Sequence, residues 1–208
     1  LFKIYMIKSI SNKKIIIVCN STFAYNYFLT NLSFKLNKLK NKVYLIVGKD
    51  KNNNNIDTKE LEKIFYVEMP KRKFKNFLSF FKTISSINKI IKNLNPDFVI
   101  SNNRDASFCT RIGMFFYKKK KIKNIYFARC FYFHDGQNYI AWIFTYILEV
   151  ILLFKTDYIL SQSKEDIRQI NFFNSYIKVP ISWVGNGVDK LKFKYRKKLL
   201  NLDKIQFS

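Results

Sequence analysis

The chain's one histidine, His134, stands in its densest run of reactive groups: Ala128, Arg129, Cys130, Phe131, Tyr132, Phe133, His134, Asp135, Gly136 and Gln137. An imidazole beside a carboxylate and near a guanidinium can orient a polar substrate or exchange a proton near neutral pH, or it can serve structure alone. A second polar run, Ser101, Asn102, Asn103, Arg104 and Asp105, offers amide and guanidinium donors to a ligand, with Asp105 also suited to cap a following helix. A third, Asn20, Ser21 and Thr22, is small and polar. Its hydroxyls and backbone N–H groups suit a phosphate or a sugar hydroxyl, and equally suit a plain helix cap. The last is Gly185, Asn186, Gly187, Val188 and Asp189, where two glycines around an asparagine permit a tight turn.

Several chemistries are disfavoured by what these runs lack. One histidine without a neighbouring acid cluster cannot supply a three-ligand metal site, so no metal is expected. Cys19, Cys109 and Cys130 form no C-x-x-C pair and are odd in number, which argues against a disulfide scaffold and for a reducing, cytoplasmic setting. No G-x-G-x-x-G or G-x-x-x-x-G-K-[ST] run occurs, so a dinucleotide cofactor or a P-loop is not expected. A Ser/His/Asp elbow is also missing, and no cofactor is called for.

The elements that must position these runs alternate in type. Residues 14–19 are a continuous apolar run, as in a strand covered on both faces. Tyr25, Phe28, Leu29, Leu32, Leu36 and Leu39 then recur at helical steps, predicting one helix. Strands are expected at 43–47, 64–67, 97–100, 125–128, 157–160 and 177–184, with helices at 74–94, 106–117, 140–154 and 163–173. The 140–154 run is the most apolar. It is too short to span a bilayer and reads as a buried helix. This alternation implies βαβ crossovers and a doubly wound parallel α/β sheet over residues 1–184, with 185–208 as a linker. In such sheets ligands bind beyond the carboxyl ends of the strands, where all four polar runs fall.

The chain has 208 residues with 38 basic and 14 acidic side chains, a formal charge of +24, and 48% hydrophobic residues. That apolar share supports a folded core. The charge invites nucleic acid, yet nearly all of it is lysine, in a sequence also rich in Asn, Ile, Phe and Tyr, the products of A/T-rich codons. Readers of phosphates and base edges favour arginine, so no nucleic-acid partner is expected. Lys71, Arg72, Lys73 and Lys75, with Phe74 and Phe77, open the 74–94 helix and suit an anionic membrane surface as well as a solvated face.

The run from Gly185 to Asp189 with Phe193 resembles the N-G-V-D-x-x-x-F signature of family 4 glycosyltransferases, which closes the N-terminal Rossmann-like domain of a GT-B fold. Glu149, Thr156 to Ser161, and Ser163 to Asp166 are similar to that family's helix–strand–helix segment. The loop from Ala128 to Gly136 resembles the A-R-G-F-H-F-H-x-G loop of the capsular and exopolysaccharide subgroup, and Asn26 to Phe28 fits the start of its first helix. Cys130 replaces the loop's glycine, Tyr132 its first histidine, and Ser101 to Arg104 a V-H-T-P stretch.

The resemblance implies the acceptor-binding half of a retaining, metal-independent hexosyltransferase acting in surface-polysaccharide synthesis, peripheral at the inner face of the cell membrane. Its donor would be a nucleotide diphosphate sugar and its acceptor a lipid-linked glycan. His134 would orient the transferred sugar, and Asn20, Ser21 and Thr22 would face the diphosphate. Asn102, Asn103, Arg104, Arg129 and Asp135 would lie on the acceptor side, with Gly185, Asn186, Gly187 and Asp189 as the hinge. Only 19 residues follow Asp189, so the donor-binding second domain is expected to be absent and the chain inactive or nearly so. A non-catalytic partner subunit or an inactive fragment is the alternative, with a basic nucleic-acid-binding protein ranked below both.

Overall fold

Runs rich in β-branched and aliphatic residues form the strands; the central strands are buried because helices cover the sheet, while the two edge strands are only partly covered. The computed structural model describes residues 10–49, 56, 58–70, 77–117, 122–131 and 138–185. In chain order they form β1 (Lys14–Cys19), α1 (Thr22–Phe28), α2 (Thr30–Lys38), β2 (Lys42–Gly48), β3 (Lys63–Val67), α3 (Phe77–Leu94) and β4 (Phe98–Asn102). There follow α4 (Arg104–Phe115), β5 (Lys123–Ala128), α5 (Tyr139–Leu153), β6 (Tyr158–Ser161), α6 (Lys164–Ile177) and β7 (Ile181–Trp183).

The seven strands form one sheet in the order β3-β2-β1-β4-β5-β6-β7, and every pairing is parallel. The doubly wound α/β fold expected from the alternation is therefore present. Period-two side chains divide the core between the faces. Ile16, Val18, Ile46 and Val99 meet Ile84, Ile87 and Ile91 of α3 and Cys109 of α4. Ile15, Ile17, Val43, Leu45 and Ile100 point the other way and meet Tyr25, Leu29 and Leu36 of the first two helices. Tyr126, Ala128 and Ile159 pack with Tyr146 and Leu153 of α5 and Ile170 of α6. Winding proceeds outward from β1 in one direction and from β4 in the other, so the switch point lies between them.

Four local expectations need correction. The single helix from Tyr25 to Leu39 is two, broken at Leu29, where Thr30 turns its hydroxyl back to the Tyr25 and Asn26 carbonyls. The last strand is only Ile181–Trp183, because α6 runs on to Ile177 and ends at Lys178 in a left-handed conformation, φ 61°. There the Asn174 side chain bonds both the N–H and the carbonyl of Val179, at 2.9 and 2.8 Å, in place of further strand pairing. Asp105 is not the cap of α4. Asn103 holds that position, and Asp105 lies in the first turn. Finally α5 is buried on one side only.

That inner side of α5 carries Glu149, which meets Arg111 of α4 at 2.8 Å with both side chains fully buried. The guanidinium lies 4.1 Å from the centre of the Tyr126 ring. Burial, followed by the Glu149 charge, pushes the Tyr126 phenol well above its ordinary range, against the opposing pull of Arg111. Glu149 thus serves to tie two helices to the sheet. No helix of the described residues is long and apolar enough to cross a membrane.

Candidate functional site at the carboxyl edge of the sheet

Parallel strands bring their carboxyl ends to one edge, so runs far apart in sequence become neighbours there. Asn20 follows β1, Asn102 ends β4, Asn103 and Arg104 begin the next turn, and Arg129 follows β5. Asn103 donates from its side-chain amide to the Asn20 side-chain oxygen at 2.7 Å, joining positions 83 apart. To do so its backbone adopts φ 68°, a region that non-glycine residues seldom enter outside constrained sites.

Ser21 caps α1, its hydroxyl oxygen accepting the Ala24 N–H at 3.1 Å. The cap reading of this run is correct for Ser21, whose O–H is still able to donate to a ligand. Thr22 is buried in the first turn. Gly48 ends β2 so close to this loop that a Cβ there would stand 2.1 Å from the Asn20 carbonyl oxygen, which is why glycine is required. Beyond it a groove of about 570 Å³ opens between the ends of β2 and β3 and the flank of α3, with Lys49, Lys82 and Lys89 among its lining residues.

Asn102 is fully buried, and neither its amide nitrogen nor its side-chain oxygen has a hydrogen-bond partner. An unpartnered buried amide costs roughly 1–3 kcal/mol, so its place at a ligand-binding edge is informative. The Arg129 guanidinium lies 3.5 Å from the centre of the Phe28 ring, clamping the loop after β5 to α1. Partial burial pushes this guanidinium below its ordinary value. Cys130 beside it is exposed yet crowded enough that desolvation raises its thiol, while Arg104 and Arg129 pull it down and Asp166 and Asp105 push it up. Arg104, Arg129, Asp166 and Asp105 therefore all act on this one thiol. A raised thiol is a poor nucleophile near neutral pH.

The loop is anchored from beneath. Tyr126 donates to the Cys130 carbonyl at 3.2 Å, Phe131 is fully buried with its ring edge-on to Tyr126, and the Phe131 N–H donates to the Asp166 carboxylate at 3.3 Å. Burial raises the Asp166 carboxyl, opposed by that N–H and by Ser163. His134 and Asp135 continue from this anchored start but lie outside the described residues, as do Asn186, Gly187 and Asp189. Gly185 is described, with φ 65° as the turn chemistry requires.

The structure thus joins Asn20 to Asn103 by a hydrogen bond, while Arg104 and Arg129 both act on the Cys130 thiol. Sequence reasoning missed Phe28 as the seat of Arg129 and Asp166 as the anchor of the loop. Both partnerships join residues from different turns of the fold, and only an acid at the first turn of α6 hinted at either. Among the described residues no three His, Cys, Asp or Glu side chains gather as a metal site.

No protein-family model matches this chain, and no curated protein matches it. Solved structures do. Sucrose-phosphate synthase of Thermosynechococcus elongatus aligns over 87% of this chain and 50% of its own, with TM-score 0.61 and 8% identity. HepE of Anabaena, solved in complex with UDP-glucose, aligns over 89% and 47%, with TM-score 0.59 and 9% identity. UDP-GlcNAc 2-epimerase of Methanocaldococcus jannaschii aligns over 83% and 45%, with TM-score 0.54 and 12% identity. At these identities the likeness establishes the fold, a Rossmann-like domain of the kind found in GT-B enzymes. The chain spans about half the length of the structures it matches.

Proposed function

We propose that this chain is the acceptor-side half of a retaining glycosyltransferase of the family 4 type, which moves a sugar from a nucleotide diphosphate sugar to a lipid-linked glycan in surface-polysaccharide synthesis. The observation that carries this reading is the polar wall at the switch point. Asn20 and Asn103 are locked together, Asn102 is buried without a partner, and Arg129 is seated on Phe28. A fold shared with a UDP-glucose-bound protein and with a sucrose-phosphate synthase supports the same class of substrate.

In this reading His134 orients the transferred sugar from the anchored loop. Asn20, Ser21 and Thr22 face the diphosphate, and donors already held in place stabilise its developing charge without a metal. Asn102, Asn103, Arg104, Arg129 and Asp135 meet the acceptor, whose remainder extends toward the lysine-lined groove. Gly185, Asn186, Gly187 and Asp189 form the hinge to a donor-binding half. Most nucleotide contacts belong to that half, so residues 1–208 alone transfer little or no sugar. Lys71 to Lys75, which lie outside the described residues ahead of α3, contact an anionic membrane at the inner face of the cell.

The test is to assay the complete reading frame that carries this chain against a panel of nucleotide sugars with a polyprenyl diphosphate-linked acceptor. His134→Ala lowers turnover by about a hundredfold or more with an unchanged melting curve. Transfer that proceeds equally well without His134 and without Asn102 removes this edge from the chemistry. Acceptor binding with no transfer to any sugar would make the chain a partner subunit instead.

A further inference from the structure

The outer side of α5 is bare. Ile140, Phe144, Ile147, Ile151 and Phe154 follow one another at steps of four, three, four and three, and are 76, 64, 52, 46 and 67% exposed. That spacing sets all five on one stripe of the helix. Scattered apolar residues on a surface need no explanation, but a continuous five-membered stripe does. The only charged residue of the helix, Glu149, is turned inward and joined to Arg111, so no ionised group lies on the stripe.

We infer that this stripe is a membrane-docking face, and that α5 lies along an anionic bilayer with these five side chains sunk below the headgroups. Length selects the orientation: 15 residues make a rod of about 22 Å, short of the roughly 30 Å hydrocarbon core, so the helix lies in the plane. Charge selects the occupant. A chain of +24 is drawn to anionic headgroups, whereas a second copy of equal charge is repelled from the same face. The ends agree with this placement. Tyr139 is exposed at one end, and Lys155, whose ammonium lies 5.2 Å from the centre of the Phe115 ring, stands at the other, each with an apolar body and a polar tip suited to the headgroup level. The inference deepens the lipid-linked acceptor of the proposed function by naming the face that brings the chain to it, but its evidence is independent of any transfer reaction.

The experiment is flotation of the full chain with vesicles of phosphatidylglycerol and phosphatidylethanolamine, and separately of phosphatidylcholine alone. The wild-type chain floats with the first and much less with the second. Phe144→Gln with Ile147→Gln, both at exposed positions, leaves the melting curve in place and weakens flotation about tenfold or more. As a second reading, Phe144→Trp adds an emission component that shifts to the blue on anionic vesicles and is quenched by brominated acyl chains. A wild-type chain that ignores anionic vesicles overturns the inference, as does a glutamine variant that floats unchanged or a tryptophan that stays in water. A wild-type dimer made monomeric by the glutamine substitutions, without vesicle binding, assigns the stripe to a second copy and also overturns it. Loss of sugar transfer in a separate assay would leave this result standing, so the two readings fail independently.

Discussion

The two ends of the one sheet use the same kinds of side chain for opposite purposes. At the amino edge, Asp97 accepts the Lys14 N–H at 2.9 Å and lies 3.9 Å from the Lys13 ammonium. Asp157 accepts the Asn124 N–H at 2.8 Å and the Lys123 ammonium at 2.6 Å, and Asn41 both accepts the Lys13 N–H and donates to the Leu36 carbonyl. Asn124 donates to the Lys155 carbonyl, leaving only its side-chain oxygen without a partner. At the carboxyl edge Asn102 has no partner for either atom, Asn103 is held at positive φ, and Arg129 is partly desolvated over a ring. Polar groups consumed by their neighbours stabilise a fold. A buried polar group left unmet, as Asn102 is, marks a place where the fold has not supplied the partner.

The strongest way to break this comparison is to loosen the slab that carries both ends. Glu149→Ala leaves Arg111 buried without its counter-charge and should lower stability by about 3–5 kcal/mol in urea unfolding, weakening both edges alike. Replacing both partners with leucine-sized apolar residues should recover most of that loss.

The next test separates the edges. Asp157→Ala should cost about 1–3 kcal/mol, since it strands the Asn124 N–H, while leaving ligand binding unchanged. Asn102→Leu should be neutral or stabilising by up to about 1 kcal/mol, because it removes two unmet polar atoms, and should abolish binding. Equal destabilisation at the two positions would erase the distinction between the ends.

A smaller effect is expected at Asn103. Asn103→Gly relieves the positive φ but severs the link to Asn20, so stability should change by less than about 1 kcal/mol while ligand affinity falls. The smallest concerns pH. Burial raises the Asp166 carboxyl above its ordinary 3.8, so its contribution favours the folded chain most fully below that value and is lost as pH climbs through the raised one. Asp166→Asn removes this component and keeps an oxygen for the Phe131 N–H. The difference in stability should therefore move in favour of the variant as pH rises through that window, by denaturant titration at several pH values. A difference independent of pH would mean that the carboxyl is not strained by burial.

Much of the fold was legible. The strands announced themselves as apolar runs, and their alternation with helices predicted the parallel sheet. The break at Leu29 was not legible, because Leu29 continues the helical spacing while the turn is decided by Thr30 and by the packing of two short helices on β2. Asn20, Asn102 and Arg129 could be placed at strand ends by rule. Their partners could not. Asn103 lies 83 residues from Asn20, and Phe28 lies 101 residues from Arg129, so no local signal links them.

Helix α5 marks the boundary between the two kinds of knowledge. A run apolar on every side states that it will be helical and will shun water, but its pattern has no direction. The fold alone decided that Glu149 would turn inward to Arg111 and that Ile140, Phe144, Ile147, Ile151 and Phe154 would be left outside. Sequence by itself determined which segments pair, since burial of apolar runs and helical or strand periodicity are local properties. Tertiary structure decided which polar groups are consumed and which stay open, because that depends on what the far parts of the chain bring to the same edge.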